Sequence, residues 1–197
     1  MNMKEKFLES IEVKHQVISS GQLGNLQKIG DEIITSITNG GKLMLCGNGG
    51  SAADAQHLAA EMLIRLRPSF NREGVPAIAL AQDTSTITAC GNDFGYDVLF
   101  ERMVNTIGQE GDSLIGITTS GNSENVIRAI NAAKKKGIKV FGFLGAGGGN
   151  TIELCDESFL VPSDITGRIQ EAHITAGHIL MEYIEDELIE QGFLNLI

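Results

Sequence analysis

The sequence predicts an α/β fold, a three-layer sandwich built on a five-stranded parallel sheet, with two extra helices at its N-terminus. Three observations carry that expectation. Five short apolar runs, at residues 42–46, 76–80, 113–118, 139–144 and 158–161, each end in a small or polar turn. Helical stretches near 51–67, 97–107, 123–136 and 168–191 separate or follow them. Strands alternating with helices imply right-handed crossovers and a mainly parallel sheet covered on both faces. Finally, 197 residues suit one domain at about 150 residues each. We therefore expect a single unit over 1–197, with a helical extension at 1–40 and an α/β core at 41–197.

Within the extension, Leu23, Leu26, Ile29 or Gly30, Ile33 and Ile37 recur at three- and four-residue steps until Gly40-Gly41 stops the pattern. Both N-terminal helices are expected to lie outside the sandwich, with apolar stripes that need a partner. The run Lys134-Lys135-Lys136 precedes Gly137, where cations suit a helix C-terminus and need no ligand.

Composition narrows the function. Lys plus Arg is 15 and Asp plus Glu is 25, a formal charge of −10. Such a surface repels nucleic acid and anionic membranes at long range, but does not exclude a small anion held by local dipoles. Three scattered cysteines (Cys46, Cys90, Cys155) form no CxxC and suit a reducing compartment. The N-terminus has no apolar signal-like region and no apolar stretch approaches 18 residues, so a soluble cytoplasmic protein is expected.

In parallel sheets, ligands bind beyond the carboxyl ends of the strands. After the first strand stands Gly47-Asn48-Gly49-Gly50-Ser51-Ala52, opening a helix. Glycines there bring N–H groups close to an anion at a helix N-terminus. The stretch also satisfies GxGxxA, yet no acidic residue ends the second strand, and Asp83 comes too late for a ribose contact. No nucleotide cofactor is expected. After the third strand, Thr118-Thr119-Ser120-Gly121-Asn122-Ser123 places four hydroxyls at a helix start, more than capping needs. A third cluster, Gly145 to Asn150, reads as a mobile connecting loop.

Two helices carry chemistry. His57 and Glu61, four residues apart, share one helix face, and Arg65 continues the row. Gln170 and His178 lie near the packed stripe Ile169, Ala172, Ala176, Leu180 and Tyr183, while His173 suits a buried, satisfied histidine. His57, Glu61, Gln170 and His178 offer two nitrogens and two oxygens, a set zinc tolerates, although glutamine is an unusual ligand.

The segments GNGGSAADAQHLAAE, GNDFGYD, TTSGNSENV and RIQEAHITAGH resemble the motifs of the phosphoheptose isomerases, a branch of the sugar isomerase (SIS) domain family. The resemblance runs in order along nearly the whole chain. It implies a flavodoxin-like five-stranded parallel sheet, a homotetramer with sites at subunit interfaces, and no nucleic-acid or membrane partner. It also implies conversion of sedoheptulose 7-phosphate to D-glycero-D-manno-heptose 7-phosphate, toward ADP- or GDP-heptose for lipopolysaccharide, capsule and related glycans. By the same resemblance, Asn48, Gly49, Gly50, Ser51, Asn92, Asp93 and Gln170 contact substrate, and Thr118, Thr119, Ser120 and Ser123 hold its phosphate. Glu61 and His178 are the implied catalytic pair, with Arg65 a charged neighbour. One zinc per subunit on His57, Glu61, Gln170 and His178 is implied as well. Some members carry an acidic residue where this chain has Gly167.

Moving a carbonyl from C2 to C1 needs a base at C1 and an acid for oxygen, through an enediol, which a carboxylate and an imidazole supply. Two alternatives share the fold: a non-catalytic sugar-phosphate-binding or DnaA-associating SIS protein, and an isomerase for a shorter sugar. The presence of both Glu61 and His178 favours the enzyme.

Overall fold

The computed structural model describes residues 2–80 and 83–196. Helices α1 (Met3–Ser19) and α2 (Gln22–Thr38) lead into strand β1 (Leu43–Gly47), helix α3 (Gly50–Leu63) and the three-residue strand β2 (Ala77–Ala79). Helix α4 (Thr84–Asp93), a 3₁₀ turn (Tyr96–Val98) and α5 (Leu99–Ile107) precede β3 (Ser113–Thr118), α6 (Glu124–Lys135) and β4 (Lys139–Leu144). A 3₁₀ run (Ala146–Leu154), β5 (Glu157–Leu160) and the long helix α7 (Thr166–Glu190) complete the chain. The five strands are all parallel, in the order β2-β1-β3-β4-β5. From β1 the chain steps outward to β2, then returns past β1 to β3. The crevice between the carboxyl ends of β1 and β3 is therefore the switch point at which such sheets bind ligands.

The strands are continuous apolar runs because both sheet faces are covered. Alternate residues serve opposite layers. Leu43, Leu45, Ile115, Ile117, Phe141 and Phe143 pack with α2, α3 and α7. Met44, Cys46, Leu114 and Val140 pack with α4, α5 and α6.

Four expectations are corrected. Helix α2 does not stand outside the sandwich: Leu26, Ile29, Ile33 and Ile37 are buried in the same cluster as the sheet. Helix α1 does keep a bare apolar face, with Met3 87% and Phe7 72% exposed. Helix α4 was not anticipated, because its β-branched, polar sequence lacks an apolar period. Its N-cap is Asp83, whose Oδ1 accepts the Thr86 N–H at 2.7 Å. Finally, α3 ends at Leu63, short of residue 67, since Arg67 precedes Pro68 and is biased away from helix. The Gly145–Asn150 segment is tied down rather than loose. Thr151 donates to the Gly121 carbonyl from both its N–H (3.0 Å) and its hydroxyl (2.7 Å), and the Asn150 N–H reaches Asn122 Oδ1 at 3.0 Å.

His173 on α7 is a core histidine, as expected. Its Nε2 lies 3.1 Å from the Leu144 carbonyl, an acceptor, so Nε2 carries the proton. Its Nδ1 is buried and meets no partner among the described residues. Burial pushes the imidazole down to about 4, against an ordinary value near 6.5. The unfolded chain therefore binds a proton below about pH 6.5 that the fold refuses, and stability is lost as pH falls from there toward 4. At about 1.4 kcal/mol per pH unit, the loss is on the order of 3 kcal/mol. Denaturant unfolding of His173→Leu from pH 7 to 4 should show a shallower fall than the parent chain. Identical pH slopes would contradict this role.

Candidate active site

The chemistry-bearing side chains come from α3 and α7, which lie side by side and run in the same direction. Two glycines permit that contact. A Cβ on Gly177 would stand 2.6 Å from Leu58 Cδ1, and one on Gly50 would stand 2.5 Å from Gln170 Nε2. With no Cβ at either point, Gln170 lies over the first residue of α3 and His178 meets His57 about two turns further on. The two imidazole Nε2 atoms are 2.8 Å apart, with the rings edge to face. Glu61 Oε1 lies 3.3 Å from His57 Nε2. One ligand atom from each of His57, Glu61 and His178 falls within 4.8 Å of the others. Glu61 is half-buried and His57 faces solvent.

Asp54, one turn before His57 on α3, was missed in the sequence although its i,i+3 spacing marks it. Its Oδ2 is buried and meets no partner among the described residues. Burial holds this carboxyl above its usual range, while the neighbouring His57 and His178 imidazoles pull it the other way.

At the ends of β1 and β3 two polar loops face each other. Thr118 Oγ1 lies 3.0 Å from Ser123 Oγ and 3.5 Å from Ser120 Oγ, and Ser120 Oγ accepts the Asn122 N–H at 3.2 Å. Ser123 occupies the N-cap position of α6, yet its hydroxyl makes no capping bond and turns toward Thr118 instead. Three hydroxyls thus converge at a helix N-terminus, the arrangement that binds phosphate oxygens. Thr119 is half-buried beside them.

Across the crevice Asn48 and Asn125 exchange two amide bonds, each 2.9 Å, and Asn48 Oδ1 also accepts the Tyr96 hydroxyl at 2.8 Å. Asn125 is buried and joins the loops after β1 and β3 directly. Neither Asn125 nor Tyr96 was singled out in the sequence, where both sit inside motifs already assigned through other residues. Ser51 is buried at the start of α3, while Gly49 and Gly50 are open to solvent.

Two parts of the expected site are not brought in. Arg65 lies beyond the end of α3, exposed, and does not continue the His57–Glu61 row. Asn92 and Asp93 stand exposed at the end of α4, where Asn92 Nδ2 donates to Asp93 Oδ1 at 2.7 Å, and among the described residues no hydrogen bond ties either to the strand-end loops. Gly167 is exposed at the start of α7 and supplies no carboxylate.

The donor set suits a metal such as zinc. Two imidazole nitrogens and a carboxylate oxygen already converge, and zinc takes N and O ligands together. Asp54 adds a carboxylate on the same helix that feels both imidazoles, with a buried oxygen that meets no partner among the described residues. Among the described residues no helix is long and apolar enough to cross a membrane.

Residues 6–145 match the SIS domain family. The chain is 49% identical over 180 residues to a phosphoheptose isomerase of Clostridium acetobutylicum, covering 91% of each sequence. It is also 49% identical to phosphoheptose isomerase 2 of Campylobacter jejuni, covering 97% of this chain and 94% of that one. The solved structure of phosphoheptose isomerase GmhA from Neisseria gonorrhoeae superposes with a TM-score of 0.86 at 39% identity, over 93% of this chain and 96% of that one. The five-stranded parallel sheet, the strand-end hydroxyl loop and the His57–Glu61–His178 cluster thus occur in a chain that belongs to the phosphoheptose isomerases of the SIS domain family.

Proposed function

We propose that this chain isomerises sedoheptulose 7-phosphate to D-glycero-D-manno-heptose 7-phosphate, with Glu61 and His178 as the catalytic pair. The observation that carries the reading is the convergence of Glu61, His57 and His178 from two helices, in a chain whose β3 end opens on a hydroxyl-lined helix N-terminus. The product is a precursor of the activated heptoses of lipopolysaccharide, capsule or related glycans, made in the cytoplasm.

Thr118, Thr119, Ser120 and Ser123 hold the phosphate, aided by the N–H groups that open α6. Asn48, Gly49, Gly50, Ser51 and Gln170 line the approach of the sugar, Asn92 and Asp93 serve its hydroxyls, and Arg65 is a charged neighbour. Glu61 takes the proton from C1 of the ketose as the C1–H pair becomes the C1–C2 double bond. The C2 oxygen gains a proton from His178, giving the enediol. Return of a proton to C2, with loss of the O1 proton, makes the aldose. His57, Glu61, Gln170 and His178 would hold zinc, which when bound would stabilise negative charge on the enediolate oxygens. The binding-protein alternative leaves unexplained a base and an acid placed side by side, since sensing a phosphate needs neither.

The reading is tested by Glu61→Gln, which keeps volume and hydrogen bonding but removes the base. A positioned base contributes about 10²–10⁴-fold, so kcat should fall by at least about 100-fold in a coupled assay, with KM little changed. Deuterium uptake from solvent should fall in step. Near-parental kcat, with fold and metal content verified, would refute Glu61 as base. Faster turnover of a six-carbon ketose phosphate than of the heptose would refute the substrate.

Elemental analysis of protein purified without added metal should find about one zinc per chain, and His57→Ala should lose it while remaining folded. Full activity after chelation to metal-free protein would reject a catalytic zinc.

We also propose a homotetramer with the sites at subunit interfaces. The support is the uncovered face of α1, where Met3, Phe7, Leu8 and Ile11 are exposed together. Light scattering at micromolar concentration should return four times the 21.1 kDa chain mass. A monomer mass would overturn it.

A further inference from the structure

Outside the site, the core holds an ion pair with no exposure on either side chain, Arg72 with Glu185. Arg72 Nε donates to Glu185 Oε1, and Arg67 Nε donates to Glu185 Oε2 at 2.6 Å. The rest of the Arg72 fork is spent on backbone. Nη2 donates to the Glu61 carbonyl at 3.0 Å, and Nη1 to the carbonyls of Met62 (3.0 Å) and Glu73 (2.8 Å). Glu61 and Met62 are in the last turn of α3, where carbonyls have lost their helical partners and favour a cation.

The placement links the two halves of the catalytic cluster. Glu185 is on α7 seven residues beyond His178, two turns along and nearly on the same stripe. Arg72 therefore grips the peptide that carries Glu61 and, through Glu185, the helix that carries His178. A buried ion pair is a poor device for stability alone, because apolar residues of similar volume often serve as well or better. What an apolar pair lacks is direction: a planar fork and a carboxylate accept one relative placement of α3 and α7, whereas packed methyl groups accept several.

We infer that Arg72 and Glu185 are positioning residues for the isomerisation, setting the position of Glu61 against His178 from behind. This rests on the assignment of Glu61 and His178 as the catalytic pair. Neither residue touches the crevice, and the phosphate loops belong to β1 and β3, so substrate binding should be spared while the reacting geometry loosens.

The experiment uses the full chain with Arg72→Met/Glu185→Met, which replaces the ion pair by an apolar pair, assayed at a temperature where circular dichroism shows it fully folded. Loss of partners that orient functional groups typically costs about 10–100-fold in activity. We expect kcat to fall by at least about 10-fold with KM within about twofold, and the pH profile of kcat to shift as the Glu61–His178 contact changes. A merely structural pair would lower the unfolding temperature and leave kcat, KM and the profile at parental values in the folded protein, which would overturn the proposal. Should the double variant not fold, Arg72→Lys keeps the charge but loses the fork, and it is read the same way: a fall in kcat at constant KM supports the role, and parental kcat overturns it. Glu61→Gln is assayed in parallel. If it retains kcat, the catalytic assignment fails; if it loses kcat while both Arg72 variants keep theirs, only the positioning role fails.

Discussion

The close parallel docking of α3 on α7 is the contact on which the rest of this molecule depends. Each helix alone is ordinary: one carries a HxxxE pair, the other a histidine among small apolar residues. Gly177 leaves room for the Leu58 side chain and Gly50 for the Gln170 amide, and side chains from residues 121 positions apart come within hydrogen-bond distance. The sheet then supplies the second coordinate. Because β1 feeds directly into α3 and β4 accepts His173 of α7 through the Leu144 carbonyl, the helix pair is fixed relative to the strand ends where the polar loops sit.

An acidic chain that handles an anionic substrate needs local, oriented dipoles rather than net charge. The loops at residues 47–51 and 118–123 contain no lysine or arginine. Attraction there comes from N–H groups at the starts of α3 and α6 and from hydroxyls that are not consumed in capping, Ser123 being the clear case. Asn125 holds the two loops at a constant spacing through its paired amide bonds with Asn48. The net charge of −10 acts at longer range, against polyanions and uncontrolled association.

Much of the fold was legible because its strands are buried on both faces and read as continuous apolar runs, and β3 and β4 have the boundaries the sequence suggests. Periodicity revealed that α2 has an apolar stripe but not what covers it, so its place inside the sandwich was invisible. Helix α4 was hidden because Thr84–Asp93 buries only Cys90 among its described side chains and so leaves no stripe to find. Within the site, His57 and Glu61 announce themselves by local spacing, and Gln170 and His178 follow from the motif resemblance. Asn125, Tyr96 and Arg72 do not, because their roles are contacts across 48 to 113 positions of chain and carry no local signature. Arg65 falls outside the His57–Glu61 row because α3 ends at Leu63, before a periodic extrapolation reaches it.

The arrangement separates two energetic tasks onto different elements. Under the proposed assignment, phosphate contacts are the same in ketose, enediol and aldose, so the loops after β1 and β3 would provide uniform binding and govern how much substrate is held. Charge moves only at C1, C2 and their oxygens, where α3 and α7 present Glu61, His57 and His178. Interactions there change during the reaction and so act on the rate. Short loops suffice for the first task, since several hydroxyls can each adjust by rotation. The second tolerates little drift between a base and an acid on separate helices. It is met by the stiffest parts of the chain: a 25-residue helix, a glycine-mediated helix contact and a buried arginine fork placed behind the reacting groups.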